Sequence, residues 1–280
     1  MLFQTQMGSM KVMKVNPLVD AATDESVAEL RQVNGKSLPH SLDIIGEYLK
    51  SFDPPDAVFE PNGEWDHRYV MWMALKGSGR NGWLGGRLRI KRRLTSLGIE
   101  LTVSQATVVQ GSLTARTRAT VVCGRDRLST PRNWEVESEM LDGAGKPVDY
   151  TKTRITGKVA EDAILQLGKA ERKLKVSKPF TSNWCLFDAV QRLPFDTKPL
   201  RFDMLEDLEL MKLDQRLASG RSVELELGGR NTRLYSFEQI GRGILPYTYW
   251  LDDQHRLLFA VGGLRTFIIE PNVSITEDKQ

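Results

Sequence analysis

The chain of 280 residues is long enough for one large domain or two smaller ones, and its 40% hydrophobic and 27% charged residues are typical of a protein with a packed core. Its 39 basic and 36 acidic residues leave a net charge of +3, too even a balance to indicate a nucleic-acid binder. Two cysteines and three scattered histidines exclude a disulfide framework and a cysteine-rich zinc site, and no apolar run of about 18 residues predicts a transmembrane helix.

Residues 1–63 are predicted to form an N-terminal helical and extended segment. Apolar residues at helical spacing predict two short helices, over residues 27–33 and 41–52. Two prolines then end the helical pattern, and an extended linker leads to Gly63. The first 15 residues contain no continuous apolar stretch like that of a signal peptide. Two localisations stay open: periplasmic or exported if a signal peptide has been removed, and otherwise cytoplasmic.

From Trp65 onward the apolar residues alternate with a period of two, which predicts antiparallel strands with one face on the core. Glycine-containing turns such as Leu97-Gly98 and Thr156-Gly157 separate the alternating runs. Short turns pair each strand with its sequence neighbour, so the pattern predicts a meander rather than βαβ units. The strands predicted in this half cover residues 67–75, 84–94, 99–109, 112–123 and 134–140.

One helix is predicted inside the strand pattern, over residues 183–193 with Ser182 as its N-cap. Strands then resume, with Ser219-Gly220 as the turn between the first two. They cover residues 208–217, 223–227, 233–240, 245–251, 257–261 and 264–269. The predicted fold class is therefore mainly β: a long antiparallel meander forming a curved sheet or half-barrel, with short N-terminal helices and one internal helix. The β domain spans residues 64–280 and is compatible with two hairpin halves, 64–176 and 177–280.

Three segments of the C-terminal part carry a resemblance to a known family: FTSNWCLFDAVQRLPFD, FDMLEDLELMKL and TYWLDDQHRLLFAVGGL. Between residues 180 and 270 the chain resembles bacterial envelope domains of uncharacterised function, which are similar to the lipoprotein-carrier fold. That fold is a lipocalin-like half-barrel of long antiparallel strands closed by helices. The resemblance implies binding of a lipid or another apolar molecule, and it implies no catalytic residues.

The C-terminal strands concentrate aromatic residues that a half-barrel would gather on its concave face. The hypothesis is an apolar cavity, and the alternative is ordinary core packing beneath the internal helix. The candidate ligand-binding residues are Tyr247, Tyr249, Trp250, Phe259, Phe267 and Met211.

The most basic stripe on the chain alternates with apolar residues between positions 84 and 94. It could bind an anion such as a lipid headgroup, and its members are Arg87, Arg89, Lys91 and Arg93. The favoured interpretation is a solvated face whose charges pair across strands with an acidic stripe, Glu135, Glu137 and Glu139.

Chemistry-bearing motifs are weak in this sequence. Residues 77–82 match G-x-G-x-x-G, but they lead into an alternating strand and not into the helix that a dinucleotide site requires. Acidic residues occur near positions 206–209 and 252–253, yet nothing singles out the carboxylate pair of a glycosidase. No G-x-S-x-G elbow and no Cys–His arrangement is recognisable, and no cofactor is predicted.

The function predicted from sequence is a non-catalytic protein that binds an apolar or amphipathic, lipid-like ligand in a curved antiparallel sheet. The alternatives are a structural or scaffold β protein without a ligand, or a hydrolase acting on a carbohydrate or an ester. The partners predicted are an apolar small molecule or lipid and a membrane surface in peripheral contact, without nucleic acid. The oligomeric state stays open. Cys123 and Cys185 are interpreted as buried thiols, since a bridge between them requires an exported protein.

Overall fold

The computed structural model describes residues 32–33, 36–73, 83–109, 113–159, 163–167, 170–176 and 179–270. The N-terminal segment begins with two paired strands, β1 (Gln32–Val33) and β2 (Lys36–Ser37). Two single-turn helices follow, α1 (His40–Asp43) and α2 (Gly46–Leu49).

The remaining strands surround one longer helix, α3 (Asn183–Arg192). Before it come β3 (Trp65–Met73), β4 (Trp83–Thr95), β5 (Gly98–Val108), β6 (Thr114–Cys123), β7 (Pro131–Leu141), β8 (Thr153–Val159), β9 (Ala163–Leu167), β10 (Ala170–Leu174) and β11 (Phe180–Ser182). After it come β12 (Leu200–Glu206), β13 (Leu210–Leu227), β14 (Arg230–Ile240), β15 (Tyr247–Leu251), β16 (Leu257–Gly262) and β17 (Arg265–Ile269).

Strands β3 to β17 form one curved, unclosed sheet in the order β10-β9-β8-β7-β6-β5-β4-β3-β17-β16-β15-β14-β13-β12-β11. Each half is a meander, and the last strand, β17, pairs antiparallel with the first strand of the sheet, β3. All neighbours are antiparallel except β11 and β12, which run parallel. The predicted fold class, mainly β with a curved antiparallel meander, is confirmed.

Alternation along the strands separates an inner face, which carries α3, from an outer face. Strand β5 shows the rule: Ile99, Leu101 and Val103 are fully buried while the residues between them are more exposed. The helix starts as predicted, because the Ser182 hydroxyl accepts a hydrogen bond from the Cys185 backbone N–H at 3.2 Å. Its Phe187 ring then meets Tyr69 edge-on, with ring centroids 5.3 Å apart.

A buried charge network fixes α3 to the inner face. Asp188 accepts from the Arg92 side chain of β4 at 2.6 Å and from Arg192 at 3.0 Å, and the Ser129 hydroxyl donates to the same carboxylate. Arg92 and Asp188 are almost completely buried, so the pair is shielded from solvent. Arg92 also donates to the carbonyl oxygen of Asn62 at 2.7 Å, which ties the linker to the same point.

The N-terminal segment covers the outer face of the central strands. The Phe52 ring packs on Phe259 with centroids 4.8 Å apart, and the Trp250 indole N–H donates to the Ser41 hydroxyl at 3.1 Å. Strands β15 and β16 are therefore covered on both faces. None of the described helices is long and apolar enough to cross a lipid bilayer.

Several element boundaries differ from the sequence prediction. The helix over residues 27–33 is wrong for Gln32–Val33, which form β1, and residues 27–31 lie outside the described residues. The predicted helix over 41–52 is replaced by α1 and α2, with the linker after them extended as expected. Strands β8 to β12 were not predicted.

Two predicted turns are parts of strands. Strand β13 runs through Ser219-Gly220 with a bulge, where a Cβ on Gly220 would lie 2.4 Å from the Ser236 hydroxyl. Thr156-Gly157 lies inside β8, where a Cβ on Gly157 would lie 2.2 Å from the Trp134 ring. In both places glycine makes room for a neighbouring side chain rather than turning the chain.

Candidate functional site

The candidate site is a cavity of about 280 Å³ between α3 and the inner face of the C-terminal half of the sheet. Because adjacent strands in this half are antiparallel, the turns after β12, β14 and β16 lie at one end of the sheet, here named the mouth end. The cavity lining combines those turns with residues of α3, of the strands β12 to β15 and β17, and of β5. Its members are Gln105, Asn183, Trp184, Phe187, Met204, Glu206, Asp207, Lys212, Gln239, Gly243, Ile244, Leu245, Tyr247, Tyr249, Gly263, Leu264, Arg265 and Phe267.

Aromatic rings from two elements form the floor of the cavity. Phe187 of α3 lies edge-on to Tyr249 and Phe267, with centroid distances of 6.3 Å and 5.4 Å. Trp184 lines the same space, and its indole N–H donates to the Gln105 side-chain oxygen at 3.4 Å. Such a floor offers apolar contact area with few rotatable bonds.

The polar groups at the back of the cavity satisfy one another. The Tyr249 hydroxyl donates to the Gln239 side-chain oxygen at 2.7 Å, and the Gln239 amide donates to Gln215 at 3.2 Å. Burial raises the pKa of Tyr249 well above its usual value, so its hydroxyl remains a protonated donor. These two hydrogen bonds hold the Tyr249 ring in its position on the cavity floor.

Tyr247, the first residue of β15, lies next to Tyr249 and extends from the floor toward the mouth. Its ring stacks on Tyr249 at a centroid distance of 6.0 Å, and Gly262 opposite leaves space for it, since a Cβ there would lie 2.4 Å from the ring. Burial raises the pKa of Tyr247 to about 12.

The mouth carries four charged side chains. Lys212 and Glu206 form an ion pair at 3.2 Å. Asp207 exchanges two hydrogen bonds with Asn183 at the start of α3, both at 2.9 Å. Burial raises the pKa of Asp207 above its usual value. The fourth group is Arg265, the first residue of β17.

The turn that carries Asp207 has a strained backbone conformation. Asp207 and Leu208 adopt positive φ values of 50° and 60°, a region that a branched residue such as leucine rarely enters. The Leu208 side chain is fully buried, and this burial holds the unfavourable conformation in place. The strained turn thus fixes the position of a carboxyl group at the cavity mouth.

Three of the six predicted ligand-binding residues line the cavity: Tyr247, Tyr249 and Phe267. Trp250 and Phe259 do not, because they alternate with Tyr249 and Ala260 and face the N-terminal segment on the outer face. Met211 lies opposite Leu205 in the register, one residue out of phase with the cavity-lining Lys212. Because the outer face of these strands is covered, its residues are as apolar as those of the inner face. Apolarity alone could therefore not separate the two faces.

Sequence reasoning missed the contribution of α3 and of the charged mouth. The apolar stripe of the helix, which contains Trp184 and Phe187, was the available signal. Lys212 and Arg265 carried none, since a single charge near a turn is ordinary in any strand. Gln105 comes from the other half of the sheet, and it becomes a neighbour through the β3–β17 pairing and through α3, whose Trp184 donates to it.

The basic stripe Arg87, Arg89, Lys91 and Arg93 lies along β4 on the outer face, and none of its members lines the cavity. Its predicted pairing with the acidic stripe is wrong, because β5 and β6 separate β4 from β7. Arg89 pairs with Asp66 at 2.5 Å and Arg87 with Glu270 at 3.2 Å. Although burial raises the pKa of Asp66, the Arg89 guanidinium lowers it below its usual value overall.

The acidic stripe pairs with its own neighbours. Glu135 contacts Arg154 at 2.8 Å and Glu137 contacts Lys152 at 3.6 Å, while Glu139 contacts Arg116. A wider and more open depression of about 720 Å³ lies across β5, β6 and β7, and its lining mixes apolar residues with charged ones such as Arg118 and Glu135. Trp134 is the single aromatic residue in that lining, whereas several rings form the floor of the smaller and less open cavity, so we regard the smaller cavity as the better candidate.

The acidic turn after β15 is a structural connection. Asp252 accepts from the Arg256 backbone N–H at 2.7 Å, and the Arg256 side chain donates to the Pro55 carbonyl oxygen at 2.5 Å. His255 is half-buried and stacks on Phe195 with centroids 3.9 Å apart. Within the described ranges no cluster of acidic, histidine or cysteine side chains could hold a metal ion. The glycine motif at residues 77–82 lies outside the described residues.

No family model, no curated protein and no solved structure matches this chain.

Proposed function

We propose that this protein binds a small amphipathic molecule in the cavity between α3 and the inner face of β12–β17, without catalysis. The observation that carries the proposal is the separation of chemistry along the cavity: an aromatic floor of Trp184, Phe187, Tyr249 and Phe267, and a charged mouth. A concave apolar site with a few placed polar groups is the usual form of a ligand pocket.

The volume of the cavity limits the size of the ligand. At about 280 Å³ it is close to the lower end of the pockets that hold drug-sized ligands, roughly 300–1,000 Å³. This size suits a single chain or a small ring system better than a two-chain phospholipid. The ligand class proposed from sequence is thereby narrowed from lipid-like to a small, single-chain amphiphile.

Two other expectations stay predictions. The resemblance to lipoprotein-carrier domains is compatible with a half-open sheet holding an apolar ligand, and it adds motivation to the proposal without identifying the ligand. Peripheral contact with a membrane is compatible with Leu245 and Leu264, which are about half exposed at the mouth. Clustered exposed leucines beside a pocket are a common feature of surfaces that meet apolar partners.

A fluorescent reporter tests the proposed function. N-phenyl-1-naphthylamine is uncharged and fluoresces in apolar sites, so it should bind the wild-type protein with saturable enhancement. Ile244→Trp places a large ring in the cavity mouth and should weaken reporter binding at least about tenfold, which corresponds to 1.4 kcal/mol. Decanoate added to the wild-type complex should displace the reporter.

The matched control is Leu97→Trp. Leu97 is 67% exposed in the turn after β4, at the opposite end of the sheet from the mouth. It should leave reporter binding unchanged. Absence of saturable binding to the wild type, or equal binding to both tryptophan variants, would contradict the cavity and favour the scaffold alternative.

A further inference from the structure

The four charged side chains at the mouth of the cavity are not all joined in ion pairs. Lys212 is engaged by Glu206 at 3.2 Å, and Asp207 is held by Asn183. Within the described part of the chain Arg265 forms no ion pair, although it lines the cavity and is only partly exposed. Burial raises the pKa of Asp207 and the Arg265 charge opposes that rise, so the two side chains interact electrostatically. Even so, no ion pair or hydrogen bond between described residues uses the five N–H donors of Arg265, and a partly buried guanidinium in that state is costly unless a ligand supplies acceptors.

The position of Arg265 relative to the floor gives it a role. Residues 265 and 267 lie on the same face of β17, two positions apart, so the guanidinium stands one step toward solvent from the Phe267 ring. An acid whose chain lies on Phe267, Phe187 and Tyr249 would therefore present its head to Arg265. Asp207 is near enough for its charge to act on Arg265, but its side chain is hydrogen-bonded to Asn183 at the start of α3 and forms no ion pair with the guanidinium.

We infer that the ligand is a single-chain amphiphile with an anionic head, a carboxylate or a phosphate, which the Arg265 guanidinium binds at the mouth of the cavity. The inference rests on the proposed function and adds the charge and orientation of the ligand. Charge-assisted bonds from arginine to such groups are short, directional and stronger than neutral ones. The apolar tail lies inward on the aromatic floor.

Displacement of N-phenyl-1-naphthylamine by matched ten-carbon probes tests the inference. Decanoate and decyl phosphate carry the anionic head, and 1-decanol carries a neutral head on the same chain. At pH 8 both anions should displace the reporter from the wild-type protein at about tenfold lower concentration than the alcohol. The preference should shrink with added salt, because the mouth is partly exposed.

Variants assign the preference to Arg265. Arg265→Gln should reduce it to about twofold or less by weakening the anions while leaving 1-decanol unchanged. Arg265→Lys keeps the charge and should retain most of it. Arg242→Gln is the control, since Arg242 lies on the same end of the sheet, is 77% exposed and pairs with Asp214 outside the cavity. It should behave as the wild type.

The outcomes separate the two proposals. Equal displacement by anions and alcohol, or a preference that survives Arg265→Gln, would overturn the inference and leave the binding function standing. Failure of every probe to displace the reporter would overturn the binding function itself, and the inference with it.

Discussion

At the scale of single residues, Asp252 gives a pH dependence whose sign is fixed by its surroundings. Burial raises the pKa of Asp252 to about 6, despite the hydrogen bond from Arg256. A raised folded-state pKa favours folding below about pH 4, and this contribution is lost as the pH rises through 6. Asp252→Asn keeps the acceptor without the charge, so the variant should gain stability relative to the wild type between pH 4 and 7.

The gain should be on the order of 3 kcal/mol at most, because a difference of one in pKa corresponds to about 1.4 kcal/mol. Urea unfolding of the wild type and the variant at pH 4 and at pH 7 measures this gain in stability. Asp253→Asn is the control, since Asp253 is exposed in the same turn and asparagine suits turns equally well. A stability difference between Asp252→Asn and wild type that does not change with pH would rule out this account of Asp252.

The two thiols allow a second prediction at this scale. Cys123 and Cys185 are fully buried, with their sulfur atoms 3.5 Å apart. The hydrogen bond with Cys185 and burial both raise the pKa of Cys123, so little reactive thiolate forms. In the reduced, native protein both thiols should react with a disulfide reagent only as fast as the fold opens, and at once in urea. Immediate labelling of the native protein would show that α3 does not cover Cys123 as described.

At the scale of elements, the contact between α3 and the sheet depends on the carboxylate of Asp188. Asp188→Ala leaves Arg92 buried without its partner and should destabilise the protein by about 3–5 kcal/mol. Arg233→Ala removes an exposed ion pair with Glu224 and should cost much less stability, because solvent screens that pair. Chemical denaturation compares the two variants. Equal losses would mean that the buried network does not anchor the helix.

The two faces of the C-terminal strands make separate predictions for two phenylalanines. Phe259 is fully buried under Phe52, so Phe259→Ala should cost roughly 3–5 kcal/mol yet leave reporter affinity unchanged in the folded protein. Phe267 lies on the cavity floor, so Phe267→Ala should weaken reporter binding as well as stability. Binding titrations below the unfolding transition separate the effects. Weakened binding in Phe259→Ala alone would place the ligand on the outer face.

At the scale of the whole molecule, period-two alternation and short turns were sufficient to predict the antiparallel meander and the capped helix α3. They could not predict that β17 pairs with β3, because this pairing joins residues about 200 positions apart and leaves no local pattern in the sequence. The same long-range pairing brings Gln105 to the cavity. Of the aromatic residues that the sequence clusters in these strands, Tyr247, Tyr249 and Phe267 line the cavity, whereas Trp250 and Phe259 face the N-terminal segment, whose packing requires apolar residues on the outer face as well.

Native mass spectrometry of the protein after incubation with decanoate tests the central claim most directly, since it counts bound molecules without a reporter. The account predicts one decanoate per wild-type chain, lost on gentle activation, much reduced in Ile244→Trp and retained in Leu97→Trp. Two results would contradict the account. One is a wild-type chain without bound decanoate at concentrations well above those at which pockets of this size bind ligands, and the other is equal occupancy of the wild type and Ile244→Trp.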